Sequence, residues 1–272
     1  MVDTAWYLMV LCCFVSGVSQ LLGGNMGAIS VSGANLKFAL MMRHFGILED
    51  VNPHLLDDSA RVVLVPCGDG DYSDDIFHHQ SNLLRRATDK GGGVSVDRPK
   101  IHLGALNGGP LLLVRNSPIH AGLPQDEVLF HSIVGAIVLQ KGTTIALMAH
   151  TCGAAMRIHK MTMEEVFDGL KAARDRTKTE LPERVTAFKQ LISTSAPEVV
   201  ADFDRANVGK ICVLPYMHID WDGGKKNTYF VNMIKYDNFK NDPVYHLRLY
   251  NTVAGTQVAK RQEALKQTQT MA

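Results

Sequence analysis

Between Arg61 and Ile234 the apolar positions follow two alternating patterns. Short aliphatic or β-branched runs stand at 61–66 (RVVLVP), 111–114 (LLLV), 143–148 (TTIALM), 210–216 (KICVLPY) and 229–234 (YFVNMI). Runs this short, bounded by glycine, proline or polar residues, predict buried strands. Elsewhere the apolar residues recur at three- and four-residue spacing. Val128, Leu129, Ile133, Ile137 and Val138 predict a core helix over 126–140, with Pro124 and Asp126 as start signals and Lys141-Gly142 as the stop. Thr162, followed three residues later by Glu165, forms a capping-box pattern ahead of Val166, Phe167, Leu170 and Ala173, which predicts a helix over 163–176. Segments 81–90, 182–193 and 197–206 read as further helices, and Gly223-Gly224 reads as the turn between the last two strands. Strands alternating with helices predict an α/β fold, a mostly parallel β-sheet flanked by helices, whose ligand sites lie beyond the carboxyl ends of the strands.

Ahead of this body the pattern changes. From Thr4 to Leu36 no residue is charged, and Ala5 to Leu22 is apolar apart from Ser16, Ser19 and Gln20. That is about the minimum length for a membrane-spanning helix. Only Asp3 carries a charge before it, whereas a secretory signal normally opens with lysine or arginine. The segment therefore reads as an apolar N-terminal helix that anchors in a membrane or docks on a protein surface. Met26 to Met42 is again small and apolar, suited to a second membrane contact or to burial. The expected organisation is a segment over 1–45, a main domain over 46–256 and a polar tail over 257–272.

The chain has 272 residues, 46% hydrophobic and 20% charged, enough to bury a core without disulfide staples. Its 28 lysines and arginines against 27 acidic residues give no footprint for nucleic-acid binding. The five cysteines, Cys12, Cys13, Cys67, Cys152 and Cys212, are odd in number and irregular in spacing, which argues against a secreted disulfide framework. A reducing compartment or use as metal ligands fits better.

Candidate chemistry gathers at the predicted strand ends. Cys67 and Asp69 follow the first strand, and His150 and Cys152 follow the strand at 143–148. Thiolate and imidazole are the groups that zinc prefers. In order, the segments VLVPCGDGD, LLLVRNSP, the helix DEVLFHSIVGAIVLQ and TIALMAHTCGAA resemble the β-carbonic anhydrase family over roughly residues 60–175. That family carries Cys-x-Asp-x-Arg after one strand, a Val-Arg-Asn strand end, a helix, and a strand ending in His-x-x-Cys-Gly. The resemblance implies zinc as cofactor, with Cys67, His150 and Cys152 as metal ligands and Asp69 as the catalytic carboxylate of an Asp–Arg dyad. It also implies carbon dioxide hydration and a homodimer.

Two departures alter that expectation. Asp71 stands where the family has arginine, and His150-Thr151-Cys152 is one residue shorter than His-x-x-Cys. Aligning on Cys152-Gly153 puts Ala149 at the ligand position; keeping His150 displaces Cys152. Nearby Asp71, Asp74, His78, His79 and His120 are candidates to complete an altered site, or else solvated surface groups. With the apolar N-terminus, these departures predict an accessory or structural subunit of a membrane-associated complex, in an organelle such as a mitochondrion or plastid, with hydration lost or impaired. Two enzymatic alternatives use the same parts: an active zinc-dependent lyase, and a zinc hydrolase acting on another small linear substrate.

Overall fold

The computed structural model describes residues 33–51, 61–88, 101–120, 122–206, 211–221, 225–242 and 244. The apolar segment Ala5 to Leu22, the Gly223-Gly224 turn and the polar tail lie outside the described residues. A six-stranded sheet forms the centre. Its strands are β1 (Leu48–Asp50), β2 (Val62–Pro66), β3 (Ile101–Leu103), β4 (Thr144–His150), β5 (Cys212–Trp221) and β6 (Lys225–Val231), in spatial order β1-β6-β5-β4-β2-β3. Pairings β3–β2, β2–β4 and β4–β5 are parallel, while β5–β6 and β6–β1 are antiparallel. The fold is thus α/β with a mostly parallel sheet flanked by helices. Every residue of β2 and β4 is buried, the signature of parallel strands covered on both faces.

The helices are α1 (Gly33–His44), α2 (Gly70–Thr88), α3 (Gln125–Gln140), the short α4 (Ala154–Arg157), α5 (Met163–Ile192), α6 (Pro197–Ala206) and α7 (Met233–Asn241). In α3 the predicted stripe packs as expected: Leu129, Ile133, Ile137 and Val138 are buried, joined by Phe130 and Val134, whereas Val128 stays exposed. Thr162 caps α5 by accepting from the amide of Glu165, and Glu165 accepts from the amide of Thr162, so the capping box is complete. The end of the second apolar stretch is core: Ala39 and Met42 of α1 are fully buried, and Phe38 meets Phe167 edge-on at 5.5 Å. Among the described residues no helix is long and apolar enough to cross a membrane.

Three expectations are corrected. The run at 111–114 is no strand; Gly109–Leu113 forms a 3-10 turn, because Gly108 (φ 104°) and Gly109 (φ 54°) bend the chain and Pro110 cannot donate to a ladder. Ile101–Leu103 takes the edge position instead. Helix α2 begins at Gly70, directly after Asp69, rather than at 81. Helix α5 runs through Pro182 without a break, with Leu181 and Val185 buried on either side of it. Cys212, at the first residue of β5, is exposed.

Candidate functional site

The sheet changes direction of growth at β2. From β2 the chain adds β3 on one side and then β4 on the other, so a crevice opens beyond the carboxyl ends of β2 and β4, where open α/β sheets place ligands. Cys67 immediately follows β2. His150 ends β4, and Cys152 lies two residues further. The register Pro66↔Met148 brings both segments to the same end of the sheet, and all three side chains are buried.

Cys67 is held by the turn that replaces the predicted strand. The amide of Gly108 donates to its Sγ at 3.2 Å. A Cβ on Gly109 would lie 2.6 Å from the amide nitrogen of Cys67, so glycine is what lets the turn close onto the strand end. Burial pushes the Cys67 thiol above the usual range, against the opposing pull of the Gly108, Asp69 and Ala154 amides. Asp69 adds negative charge beside it.

The turn after β4 holds the other candidates. Thr151 is fully buried and ties β4 to β5: its amide donates to the carbonyl of His218 at 3.0 Å, and its Oγ1 accepts from the amide of Asp220 at 2.9 Å. Cys152 adopts φ 61°, unusual for a residue with a side chain. Burial raises its thiol pKa, Asp220 adds to the rise, and contacts with Thr151 and Tyr72 oppose it. His150 sets Nδ1 2.8 Å from the carbonyl of Thr151. A carbonyl only accepts, so Nδ1 carries the proton and Nε2 is left as a lone pair. That atom is buried with no hydrogen-bond partner among the described residues. The ring rests on Gly153, where a Cβ would lie 2.6 Å from Nε2. Burial pushes the His150 imidazole below its ordinary pKa.

Three further residues complete the cluster. Tyr72 of α2 lies over both histidines, its ring 4.6 Å from that of His150 and 6.1 Å from that of His218. Its hydroxyl donates to Asp220 Oδ2 at 3.5 Å. His218 is the register partner of His150 on β5; its Nδ1 meets Thr228 Oγ1 at 2.8 Å, and its buried Nε2 has no hydrogen-bond partner among the described residues. Burial, with His150 alongside, pushes His218 down to about 4. Outside Tyr72, Lys226 sits 4.9 Å from the ring centre and bonds Asp75 at 2.7 Å. Sequence reasoning singled out none of Tyr72, His218 and Asp220. The available signal was polar His218 and Asp220 at alternate positions of an otherwise apolar strand, which places both on one face.

The other candidates do not join this cluster. Asp74 and His78 pair with each other on the exposed face of α2. His120 donates Nε2–H to the carbonyl of Leu112 at 2.6 Å. Arg115, of the Val-Arg-Asn motif, bonds Glu180 at 2.6 Å. Asp71 is the second residue of α2, and its side chain lies outside the described residues. His79 does approach, and its charge acts on His218.

Zinc, the cofactor implied by the resemblance, finds suitable donors singly but not together. His150 presents the tautomer a ligand needs, yet among the described residues no three His, Cys, Asp or Glu side chains stand close enough to hold a metal. What the residues do themselves is narrower: Tyr72 roofs the crevice, Thr151 fixes the two strand ends, and His150 Nε2 can accept a proton.

No protein-family profile and no curated protein matches this chain. Among solved structures it is similar to a β-carbonic anhydrase of the filamentous fungus Aspergillus fumigatus, at 12% identity and a TM-score of 0.29, over 67% of this chain and 97% of that one. A likeness at that level transfers no residue role.

Proposed function

We propose that the protein is a carbonic-anhydrase-like accessory or structural subunit of a membrane-associated complex, with carbon dioxide hydration lost or impaired. The observation that carries this reading is the way the would-be donors are engaged by their neighbours. Tyr72 covers His150 and contacts Cys152, Cys67 is a buried thiol ringed by amides, and no three-donor group forms among the described residues. The apolar, uncharged Ala5 to Leu22 supports the membrane half, as anchor or docking helix, with an organellar membrane as the proposed location. Partners are then membrane-complex subunits or a second copy of the chain.

The test is a stopped-flow pH-indicator assay of carbon dioxide hydration on the full chain, with zinc quantified in the same sample. Hydration at the buffer rate with zinc well below one per chain is expected. For the membrane half, the full chain should sediment with membranes, and a chain lacking 5–22 should not. A second reading, an active zinc-dependent lyase, is favoured by the lone pair of His150 Nε2, unpartnered among the described residues, since ligating histidines commonly anchor their other nitrogen on a carbonyl. Hydration well above the buffer rate, abolished in Cys67→Ser, would establish that reading instead.

A further inference from the structure

His150 and His218 raise a question that carbon dioxide chemistry does not answer. They are direct register partners on adjacent parallel strands, so their side chains leave the same face of the sheet about 5 Å apart. Both are more than nine-tenths buried, and among the described residues neither Nε2 has a hydrogen-bond partner. A buried ring nitrogen left unsatisfied gives up its solvation without replacement, and with the Thr228 hydroxyl accepting from His218 Nδ1–H both Nε2 atoms present lone pairs. Two on neighbouring residues point to something that both receive.

We propose that His150 and His218 form a two-imidazole site for copper(I), set between the ends of β4 and β5 beneath Tyr72. Each ring is anchored by its other nitrogen, His150 on the Thr151 carbonyl and His218 on the Thr228 hydroxyl, which fixes ring orientation as bound imidazoles require. The number of donors selects the ion. Zinc takes four ligands and calcium six or more oxygens, whereas copper(I) is content with two soft or borderline donors in line, and imidazole suits copper. The backbones of neighbouring strands lie about 4.8 Å apart, which sets the two imidazoles side by side.

Charges of both signs face the pair. The carboxylate of Asp69 acts on His150 and that of Asp75 on His218, and Asp220 stands against the Tyr72 hydroxyl. Arg157 on the His150 side and His79 and Lys226 on the His218 side act against a cation, Lys226 being paired with Asp75. Tyr72, itself buried, covers both rings. The site uses His218, which hydration chemistry does not, so it stands or falls separately from the proposed function.

The experiment titrates the full, reduced chain with copper(I) under argon against bicinchoninate, whose copper complex is coloured. One equivalent should be drawn from the chelator, and X-ray absorption on that sample should show two nitrogen neighbours and no sulfur. His218→Gln keeps a polar group facing Thr228 and should weaken retention at least about tenfold; His78→Gln, on the exposed face of α2, should leave it unchanged. Equal retention by His218→Gln, a sulfur neighbour in the absorption spectrum, or no copper held above the chelator would each overturn the proposal. The absorption spectrum of the unmodified protein keeps the test valid even if the variant fails to fold.

Discussion

Gly108 and Gly109 both have positive φ, but their surroundings give them different tasks. Gly108 supplies the amide that meets Cys67 Sγ, while Gly109 passes so close to the end of β2 that a Cβ would strike the backbone of Pro66 and Cys67. Backbone cannot swing aside as a side-chain tip can. Gly109→Ala should therefore cost roughly 2–4 kcal/mol in urea unfolding, combining strain with displacement of the strand end. Gly122 has φ 74° but nothing within 4 Å of its would-be Cβ, so Gly122→Ala should cost only about 1–2 kcal/mol, the left-handed strain alone. Equal costs would show that crowding at Cys67 has no part. At this scale the sequence was legible where residues follow strands closely: Cys67, His150 and Cys152 do reach one end of the sheet. Tyr72 and His218 were not legible, because a site assembled by sheet register joins residues some 70 positions apart. A tyrosine on a polar-looking helix start gives no local hint that it will roof two histidines.

Helix α5 shows how elements are held once their ends are set. Thr162 satisfies the Glu165 amide, and Glu165 returns the bond, so Thr162→Ala should lower stability by about 1 kcal/mol in chemical denaturation. Further along, Arg176 bonds Asp126 at 2.9 Å, Glu127 at 3.1 Å, Glu180 at 3.0 Å and the carbonyl of Leu113 at 2.8 Å, joining α3, α5 and the 3-10 turn. Its side chain is only 9% exposed. Removing it leaves Asp126 and Glu180, both largely covered, short of a cation, so Arg176→Ala should destabilise by roughly 3 kcal/mol, well beyond an exposed ion pair. A loss below about 1 kcal/mol would mean that solvent screens the network. Both ends of the legibility range meet in this element. The capping box could be read because four consecutive residues determine it. The continuation through Pro182 could not, because burial of Leu181 and Val185 holds the helix together against proline's local preference for a break. The 111–114 run misled for the converse reason: its leucines are buried as a strand's would be, but two left-handed glycines and Pro110 decide the backbone.

Across the whole molecule, burying uncharged histidines links folding to acid. His218 falls from an ordinary value near 6.5 to about 4 on folding, chiefly through burial and secondarily through His150, itself pushed down by burial. Below pH 6.5 the unfolded chain takes up protons that the folded chain refuses, so the unfolded state binds more protons and stability declines. The decline begins as pH drops through 6.5 and, for His218, levels off near 4, where the folded imidazole also protonates. Glu180 extends the same trend to lower pH. Burial raises its pKa, but Arg115, Arg184 and Arg176 together outweigh that and hold it at about 2, so its share of stability is present above pH 4.5 and is lost as pH falls towards 2. The two windows separate the sheet's histidines from the half-buried Arg176 network between α3 and α5. Urea unfolding at pH 7.5, 5.5 and 4.5 should show progressive loss, roughly 3 kcal/mol of it assignable to His218 between the first and last. In His218→Gln, which cannot titrate, the loss over that interval should shrink but persist, because His150 remains. In Glu180→Gln the slope between pH 7.5 and 5.5 should be unchanged, since that carboxyl is ionised in both states there. An unaltered slope in His218→Gln would mean that the imidazole is solvated and charged in the folded chain, and with it the closed strand-end crevice under Tyr72 would have to be abandoned.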